Sequence, residues 1–329
     1  DTGKLIKSLR TEKNGNRQNR AVWVADRIHL VTAITRMALK TVSFFHTVLG
    51  ASVMQGIAGG IRKISGNTIP AWNKFLPSGA ARININISIS TENNNKVVYF
   101  PSCINRAMGV SREYSDEKQL SERMVQLIKK GGVEVIYPEN MNNLCCGMAF
   151  SSKGYSTAGE KKSKELEDEL LRASNNGEYP VLCDMSPCLF TMKENMKSGL
   201  NLYEPVEFIL KYLLPNLSIN PLDETITVFP VCSMKKMGLE SKLAELARLC
   251  AREVVVADAN CCGFAGDRGF AFPELNEHGL RDMKGQLPGI IKNGYSTSRT
   301  CEIGLSLHSG ISHKSIVYLV DQVSTGKRD

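Results

Sequence analysis

Eight of the ten cysteines in this 329-residue chain fall into two near-copies of one pattern. The first copy runs Phe100-Pro101-Ser102-Cys103, then Cys145-Cys146-Gly147, then Cys188. The second runs Phe229-Pro230-Val231-Cys232, then Cys261-Cys262-Gly263, then Cys301. Four thiolates gathered from three separate places on a chain are what a metal centre requires, and two copies imply two centres. Thiolate sulfur holds both iron–sulfur clusters and zinc, and four-sulfur ligation fits either. The adjacent pair distinguishes them. Neighbouring side chains in an extended segment point to opposite sides, so two consecutive cysteines grip one small ion only across a sharp turn. Gly147 and Gly263 can supply that turn, because glycine tolerates positive φ. A cluster with several irons suits an adjacent pair better than a tetrahedral zinc, whose ligands usually stand roughly two to four residues apart. Leu144, Met148, Ala149 and Phe150 flank the first pair, and Phe264 and Ala265 the second. Such neighbours limit water and help set a potential.

Cys183 lies five residues before Cys188, but the position five before Cys301 is Ser296. Repeat symmetry therefore leaves Cys183 either a fifth ligand of an enlarged first centre or a spectator. Cys250 follows Leu239, Leu243 and Leu246 on one helical face and reads as core. His308 and His313 are further donors to a cofactor or partner, against the commoner structural role of a lone histidine. Gly266-Asp267-Arg268-Gly269 reads as a tight turn behind the second pair. No GxGxxG, phosphate-cradling GK[ST] or GxSxG motif occurs, so no nucleotide-fold fingerprint or hydrolase elbow is present.

A chain of this length accommodates two domains. It is 42% hydrophobic and 22% charged, with a mild net charge of +8. Its lysines mingle with acids, as in Glu160-Lys161-Lys162-Ser163-Lys164-Glu165, and no aromatic–basic stripe accompanies them, so nucleic acid is not an expected partner. No apolar leader of signal-peptide form is present, and the chain is too large for a disulfide-stapled mini-domain. Metal-held thiolates in a reducing, cytoplasmic compartment are the expectation. The chain opens at Asp1 rather than Met and is read as part of something longer.

The elements that must position the cysteines alternate strand and helix from Lys96 onward. Val97 to Phe100 forms a strand delivering Cys103, Asp116 to Lys130 a helix stopped by Gly131-Gly132, and Val133 to Tyr137 a strand before the first pair. Glu160 to Ala173 is a helix, and Tyr179 to Leu182 a strand leading to Cys188. Thr225 to Phe229, Leu239 to Arg252 and Glu253 to Ala257 repeat the order before Cys232 and Cys261. The fold class is α/β: two Rossmann-like parallel-sheet repeats forming a duplicated cysteine-rich domain, residues 96–214 and 225–329, joined by a linker at 215–224. Loops after parallel strands share one sheet edge, where the cysteines can converge. Residues 1–82 are a helical segment, followed by a linker at 83–95 in which Ile83, Ile85, Ile87 and Ile89 alternate with polar residues. Leu30, Ile34, Met37, Thr41, Phe44 and Val48 form one helical stripe, expected to dock on the neighbouring domain, with peripheral contact to a membrane as the alternative. No uninterrupted apolar run reaches spanning length, so a transmembrane helix is not expected.

The motifs Leu144-Cys145-Cys146-Gly147-Met148-Ala149-Phe150, Cys261-Cys262-Gly263-Phe264-Ala265-Gly266-Asp267-Arg268-Gly269-Phe270 and Ser298-Arg299-Thr300-Cys301-Glu302-Ile303-Gly304-Leu305 carry a family likeness. The chain resembles the cysteine-rich part of heterodisulfide reductase and the glycolate oxidase iron–sulfur subunit. Over residues 96–322 it resembles more closely the C-terminal half of FAD- and iron–sulfur-dependent D-lactate dehydrogenase. Asp1 to Leu5 is similar to the stretch after a ferredoxin-type motif there, so residues 1–82 would continue a ferredoxin-like domain. The resemblance implies an oxidoreductase in which a flavin domain of the same parent chain, carrying FAD, oxidises D-lactate. Iron–sulfur clusters of [4Fe-4S] type would pass electrons to a quinone or cytochrome, at the inner face of the membrane. It implies that Cys103, Cys145, Cys146 and Cys188 ligate one cluster, and Cys232, Cys261, Cys262 and Cys301 the other. The flavin domain and ferredoxin cysteines are not in this sequence, so this chain alone should not oxidise lactate. A heterodisulfide-reductase-like module acting on a disulfide and a non-redox zinc module are the competing expectations.

Overall fold

The computed structural model describes residues 2–83, 95–115, 117–259 and 261–327. Its strands are β1 (Lys96–Phe100), β2 (Glu134–Ile136), β3 (Val181–Cys183), β4 (Leu202–Tyr203), β5 (Leu217–Ile219), β6 (Leu222–Val228), β7 (Ala251–Val256), β8 (Asn293–Ser296), β9 (Ser312–Ser315) and β10 (Ser324–Gly326). The first four form one parallel sheet in the order β2-β1-β3-β4. Strands β6 to β9 form another in the order β7-β6-β8-β9, also parallel throughout. Each sheet thus places its own strands in the order second, first, third, fourth, and the duplication read from the cysteines is a duplication of topology. Helices pack beside the sheets, so central strands are buried on both faces and read as continuous apolar runs. Val97, Val98, Tyr99 and Phe100 are all fully buried.

Several element boundaries differ from the sequence reading. The helix expected from Asp116 begins at Leu120 and runs to Lys130, after a 3₁₀ turn at Arg112–Tyr114; Asp116 itself lies outside the described residues. It starts where the buried stripe of Leu120, Met124, Leu127 and Ile128 starts, because packing rather than the cap-like Ser115 supplies its stability. The expected linker at 215–224 contains β5 and the start of β6, and β5 pairs antiparallel with β10 at the other end of the second half. The alternating isoleucines at 85, 87 and 89 lie outside the described residues.

The two halves are tied by a carboxylate from the second. Asp321 is buried and accepts a hydrogen bond at 2.8 Å from Arg123 Nη1, while Lys130 Nζ lies 2.7 Å from its other oxygen. Lys130 also donates to the backbone carbonyls of Asp321 and Ser324.

At the N-terminus, Arg10, Asn14 and Gln18 donate to the carbonyls of Ser152, Lys153 and Gly154. Ala21, Ala25 and Ile28 pack with Cys145, Phe150 and Ala158. Docking of the N-terminal segment on the first half is therefore present, but not through the stripe named above. In the long helix Ile28–Ile64, the buried residues are Ile28, Thr32, Leu39, His46 and Met54. Leu30, Ile34, Met37, Phe44 and Val48 are between 48% and 70% exposed, so the stripe faces outward. The expectation about spanning length is also corrected: this helix is long and apolar enough to cross a membrane. Thr41 to Ile61 holds no Asp, Glu, Lys or Arg, and its Ser, Thr, Gly and Gln residues interrupt the apolar run without adding charge. The helix breaks at Gly50, where φ is +79°. Its far end returns to the body, with Arg62 Nη2 donating to Ala271 O at 2.6 Å.

Asp321→Asn is expected to weaken the tie between halves and cost about 1–3 kcal/mol, read as a lower urea midpoint with an unchanged slope. An unchanged midpoint would show that the halves hold together without it.

Candidate functional site

In both halves the first three loops leave the carboxyl edge of neighbouring strands, and those loops carry the cysteines. The alternate order of strands sends successive connections to opposite sides, opening a crevice at that edge. Cys103 and Cys232 each begin a short helix, Cys103–Ala107 and Cys232–Met237. Cys188 and Cys301 are each the third residue of a longer helix, Ser186–Asn195 and Arg299–Ser309. Backbone N–H groups in a helical first turn lack intrahelical partners and favour negative charge on a nearby thiol. Cys183 closes β3, and its counterpart Ser296 closes β8.

The sulfurs touch one another in two strings. In the first, Cys103 Sγ lies 3.9 Å from Cys145 Sγ, Cys145 contacts Cys146, Cys146 contacts Cys188, and Cys188 contacts Cys183. In the second, Cys232 contacts Cys261 and Cys261 contacts Cys262, with Cys262 Sγ 2.9 Å from Cys301 Sγ. All eight repeated cysteines are thus brought together in their expected sets, and the optional Cys183 joins the first. Among the described residues, no group of three or more His, Cys, Asp or Glu side chains is arranged to hold a metal ion. The contacts are all sulfur to sulfur, and an all-sulfur set is the donor chemistry that iron–sulfur clusters take.

The turn glycines act as the adjacent pairs require. Gly147 has φ +83° and Gly263 φ +75°. A Cβ at Gly147 would lie 2.2 Å from Gly159 O, and one at Gly263 2.2 Å from Leu275 O, each twelve residues further along. Each glycine N–H also points at a sulfur, 3.4 Å from Cys145 Sγ and from Cys261 Sγ respectively. Asn276 Nδ2 braces the second loop by donating to Cys262 O.

Two cations and one carboxylate complete the sites, and sequence reading missed all three. Arg106 and Lys235 each follow the first cysteine of their copy by three residues. Arg106 is only 2% exposed; it donates to Met141 O and Leu144 O, and it faces Cys103, Cys145 and Cys188. Lys235 Nζ donates to Ala259 O at 3.0 Å and lies close enough to Cys261 to favour its thiolate. Both cations therefore brace the loop before a cysteine pair and place positive charge beside it. The shared three-residue offset was the available signal. Asp184, after β3, accepts from Tyr99 OH and from the Ser102 backbone N–H, both at 2.9 Å, tying the Cys103 turn to the Cys188 loop. Burial pushes its carboxyl upward.

The thiols respond to each other and to burial. Contact with Cys145 and burial push Cys103 well up. Cys145 is drawn down by Cys103, but contact with Cys146 and burial prevail and raise it to about 12. Cys261 moves the opposite way, far below the ordinary thiol range, because Cys232, Cys262 and the Gly263 N–H all stabilise its anion. Apart from Cys261, the shifted sulfurs therefore rest as protonated thiols, and a cationic centre would be needed to draw the protons off and hold the thiolates.

The first string is enclosed beneath Ala21 and Ala25, with only Cys103 partly exposed. The second is open, since Cys232 is exposed and Cys261 partly so. The helices carrying Cys188 and Cys232 pack directly on each other. Ser186 Oγ donates to Thr297 Oγ1 at 2.6 Å, joining the starts of the Cys188 and Cys301 helices. The two sites are therefore neighbours across the seam between halves.

The other sequence candidates lie apart. Cys250 is buried in the large core, as expected. His313 sits on β9, where a Cβ at Gly294 of β8 would meet its ring, and burial holds it at about 4 and neutral, a structural role. His308 is lowered by burial, and Glu277 is the charged group acting on it. At residues 266–269 the chain makes the expected turn, with Gly266 at φ +82° and Gly269 against the Phe264 ring.

Residues 97–193 match the family of the cysteine-rich domain known as CCG. Over 166 residues the chain is 25% identical to one subunit of the anaerobic glycerol-3-phosphate dehydrogenase of Escherichia coli strain K12, and to its namesake in strain O157:H7. The match takes in 46% of this chain, which thus spans 41% of the length of those relatives. Together these likenesses mark a cysteine-rich domain in the first half and a similarity to a dehydrogenase subunit. They do not single out D-lactate.

Gly147→Ala and Gly263→Ala are each expected to cost about 2 kcal/mol or more, whereas Gly285→Ala, with open space around it, should stay within about 0.5 kcal/mol of wild type. Equal denaturation midpoints for all three variants would refute the close approach at the paired cysteines.

Proposed function

We propose that this chain is the iron–sulfur electron-transfer module of a flavin-dependent dehydrogenase of a small hydroxy compound. The observation that carries the reading is the pair of thiol strings, built on identical strand orders and set side by side through the Cys188 and Cys232 helices. Cys103, Cys145, Cys146 and Cys188 would hold one cluster, and Cys232, Cys261, Cys262 and Cys301 the other, each of [4Fe-4S] type. Clusters of this kind take up and release single electrons. The chain's own contribution is to hold the thiolates, to exclude water from the first site and to leave the second open at Cys232. Arg106 and Lys235 offset the negative charge of thiolate-bound iron and so favour the reduced form.

The finer assignment is D-lactate as the compound oxidised, FAD on a separate flavin domain of the parent protein, and a quinone or cytochrome as acceptor. The motif resemblance supports D-lactate; the name of the curated relatives puts glycerol 3-phosphate beside it. Substrate choice would belong to the flavin partner in either case. A second reading, reduction of a disulfide at the first site, is favoured by the fifth thiol, Cys183, beside Cys188.

We further propose peripheral attachment to the inner, cytoplasmic face of a membrane through the long helix Ile28–Ile64. Its outward stripe offers a large apolar face. Residues 1–82 carry thirteen Lys or Arg against three Asp or Glu, whereas the rest of the chain carries 28 against 30. Cationic charge beside an apolar helix suits an anionic bilayer surface. Both ends of the helix are tied to the same protein body, at Ile28 and at Arg62, which favours lying in the surface over crossing it.

Anaerobically purified chain is expected to be brown, to carry iron and sulfide, and to bleach on reduction. Cys146→Ser and Cys262→Ser should each remove about half of the iron. Zinc without sulfide in protein made with ample iron would overturn the relay. Arg106→Gln and Lys235→Gln should lower the midpoint potential of the nearer centre. Turnover of a disulfide by the isolated chain, lost in Cys183→Ser, would instead favour the second reading.

Val48→Asp should reduce sedimentation with phosphatidylglycerol vesicles severalfold, since the apolar burial of Val48 in the interface is lost and a carboxylate is set against anionic headgroups. Unchanged sedimentation would remove the long helix from membrane contact.

A further inference from the structure

A cavity of about 440 Å³ opens between the first turns of the long helix and the enclosed first site. His29, Arg36, Arg82, Arg106, Asn142 and Asn143 line it. Arg106 forms its innermost cationic wall; its Nη1 and Nη2 are used on backbone carbonyls, and its Nε is buried without a partner. Arg36 Nε donates to the Arg106 backbone carbonyl at 3.3 Å, which places a second guanidinium near enough to feel the first. Among the described residues none of these three arginines has a carboxylate partner within ion-pair distance. Arg82 and Arg106 both act to lower the Arg36 pKa, in addition to its burial.

Asp184 acts on Arg106 from a distance, but like charges gathered without an ion-paired carboxylate raise the energy of the empty site, and an anion relieves it. Planar guanidinium groups, with amide and imidazole donors beside them, fit a tetrahedral oxyanion with several acceptor oxygens. We propose that this cavity binds a phosphate group, with Arg36, Arg82 and Arg106 as its cationic wall. Two sources share that chemistry: free phosphate, and the headgroup of a phospholipid reached where the long helix meets the bilayer. The site also touches the electron relay through one residue. Arg106 faces the cavity and, on its other side, Cys103 and Cys145. A bound phosphate therefore offsets the field that Arg106 exerts on the first centre, and reduction of that centre weakens phosphate binding by the same factor. This second clause rests on the iron–sulfur reading; the binding itself does not.

The test is calorimetric titration of the whole chain, without iron, with inorganic phosphate and separately with a short-chain phosphatidylglycerol below its micellar concentration. One saturable site is expected for at least one probe, weakened about tenfold or more in the double variant Arg36→Gln, Arg82→Gln. Both side chains reach solvent, so the melting temperature of that variant should match wild type. Binding of inorganic phosphate alone identifies the free anion as the source, whereas binding of the lipid alone, or lipid binding displaced by phosphate, identifies a headgroup. No saturable binding of either probe, or equal binding by wild type and double variant, overturns the proposal. Protein that binds iron and sulfide but no phosphate sinks this inference and leaves the relay standing; the reverse result sinks the relay alone. With clusters loaded, phosphate should lower the midpoint potential of the first centre and leave that of the second unchanged. A shift shared equally by both, or absent from both, removes the coupling through Arg106.

Discussion

Bringing cysteine sulfurs into contact at one sheet edge, where their thiolates would crowd together, is the constraint on which the rest of this structure depends. Neighbouring anions repel, and burial penalises each of them further. A chain that gathers four or five such groups must supply compensation. This one does so locally and twice: glycine N–H groups at Cys145 and Cys261, helix starts at Cys103, Cys188, Cys232 and Cys301, and a cation three residues after each leading cysteine. The recurrence of these devices in both halves ties them to the thiols rather than to local accidents of packing.

The parallel sheet makes such convergence cheap in backbone terms. Each strand ends at the same edge, so three loops distant in sequence meet without long excursions. The tight turns carry the precision. With Gly147 and Gly263 in left-handed conformation, each pressed against a carbonyl twelve residues on, the paired cysteines have little freedom to drift. Rigidity of this kind lets a redox centre change charge with little rearrangement around it.

The two copies are not equivalent, and their differences have a spatial logic. The N-terminal segment lies over the first site, which also holds a buried arginine and the additional Cys183. The second site has a lysine, a serine where Cys183 would be, and an exposed Cys232. One site is thus enclosed and close to the long apolar helix; the other is open to solvent. A shared seam, in which Ser186 meets Thr297 and two cysteine helices pack together, places them in series. Duplication supplied two equal frames, and their coverings made them different.

Much of this was legible in residue order. Duplicated cysteines, strand-like runs before them and helix-like runs between them are local patterns, and they were enough for the parallel α/β class and for the repeated strand order, in which each set of sulfurs comes into contact. Other features needed the tertiary structure. The start of the helix at Leu120 depends on which apolar residues find a core, and the 215–224 stretch is part strand because β5 meets β10 from the far end of the second half. The stripe from Leu30 to Val48 has the period of a docking face, yet it points outward, because periodicity reports that a face is apolar and not what covers it. Arg106, Lys235 and Asp184 look like ordinary polar residues in the sequence, and Cys183 was undecided there. Residue type and spacing determined which cysteines share a sheet edge; only the fold decided which charges would be buried beside them, because electrostatic environment depends on distances between segments that sequence order does not contain.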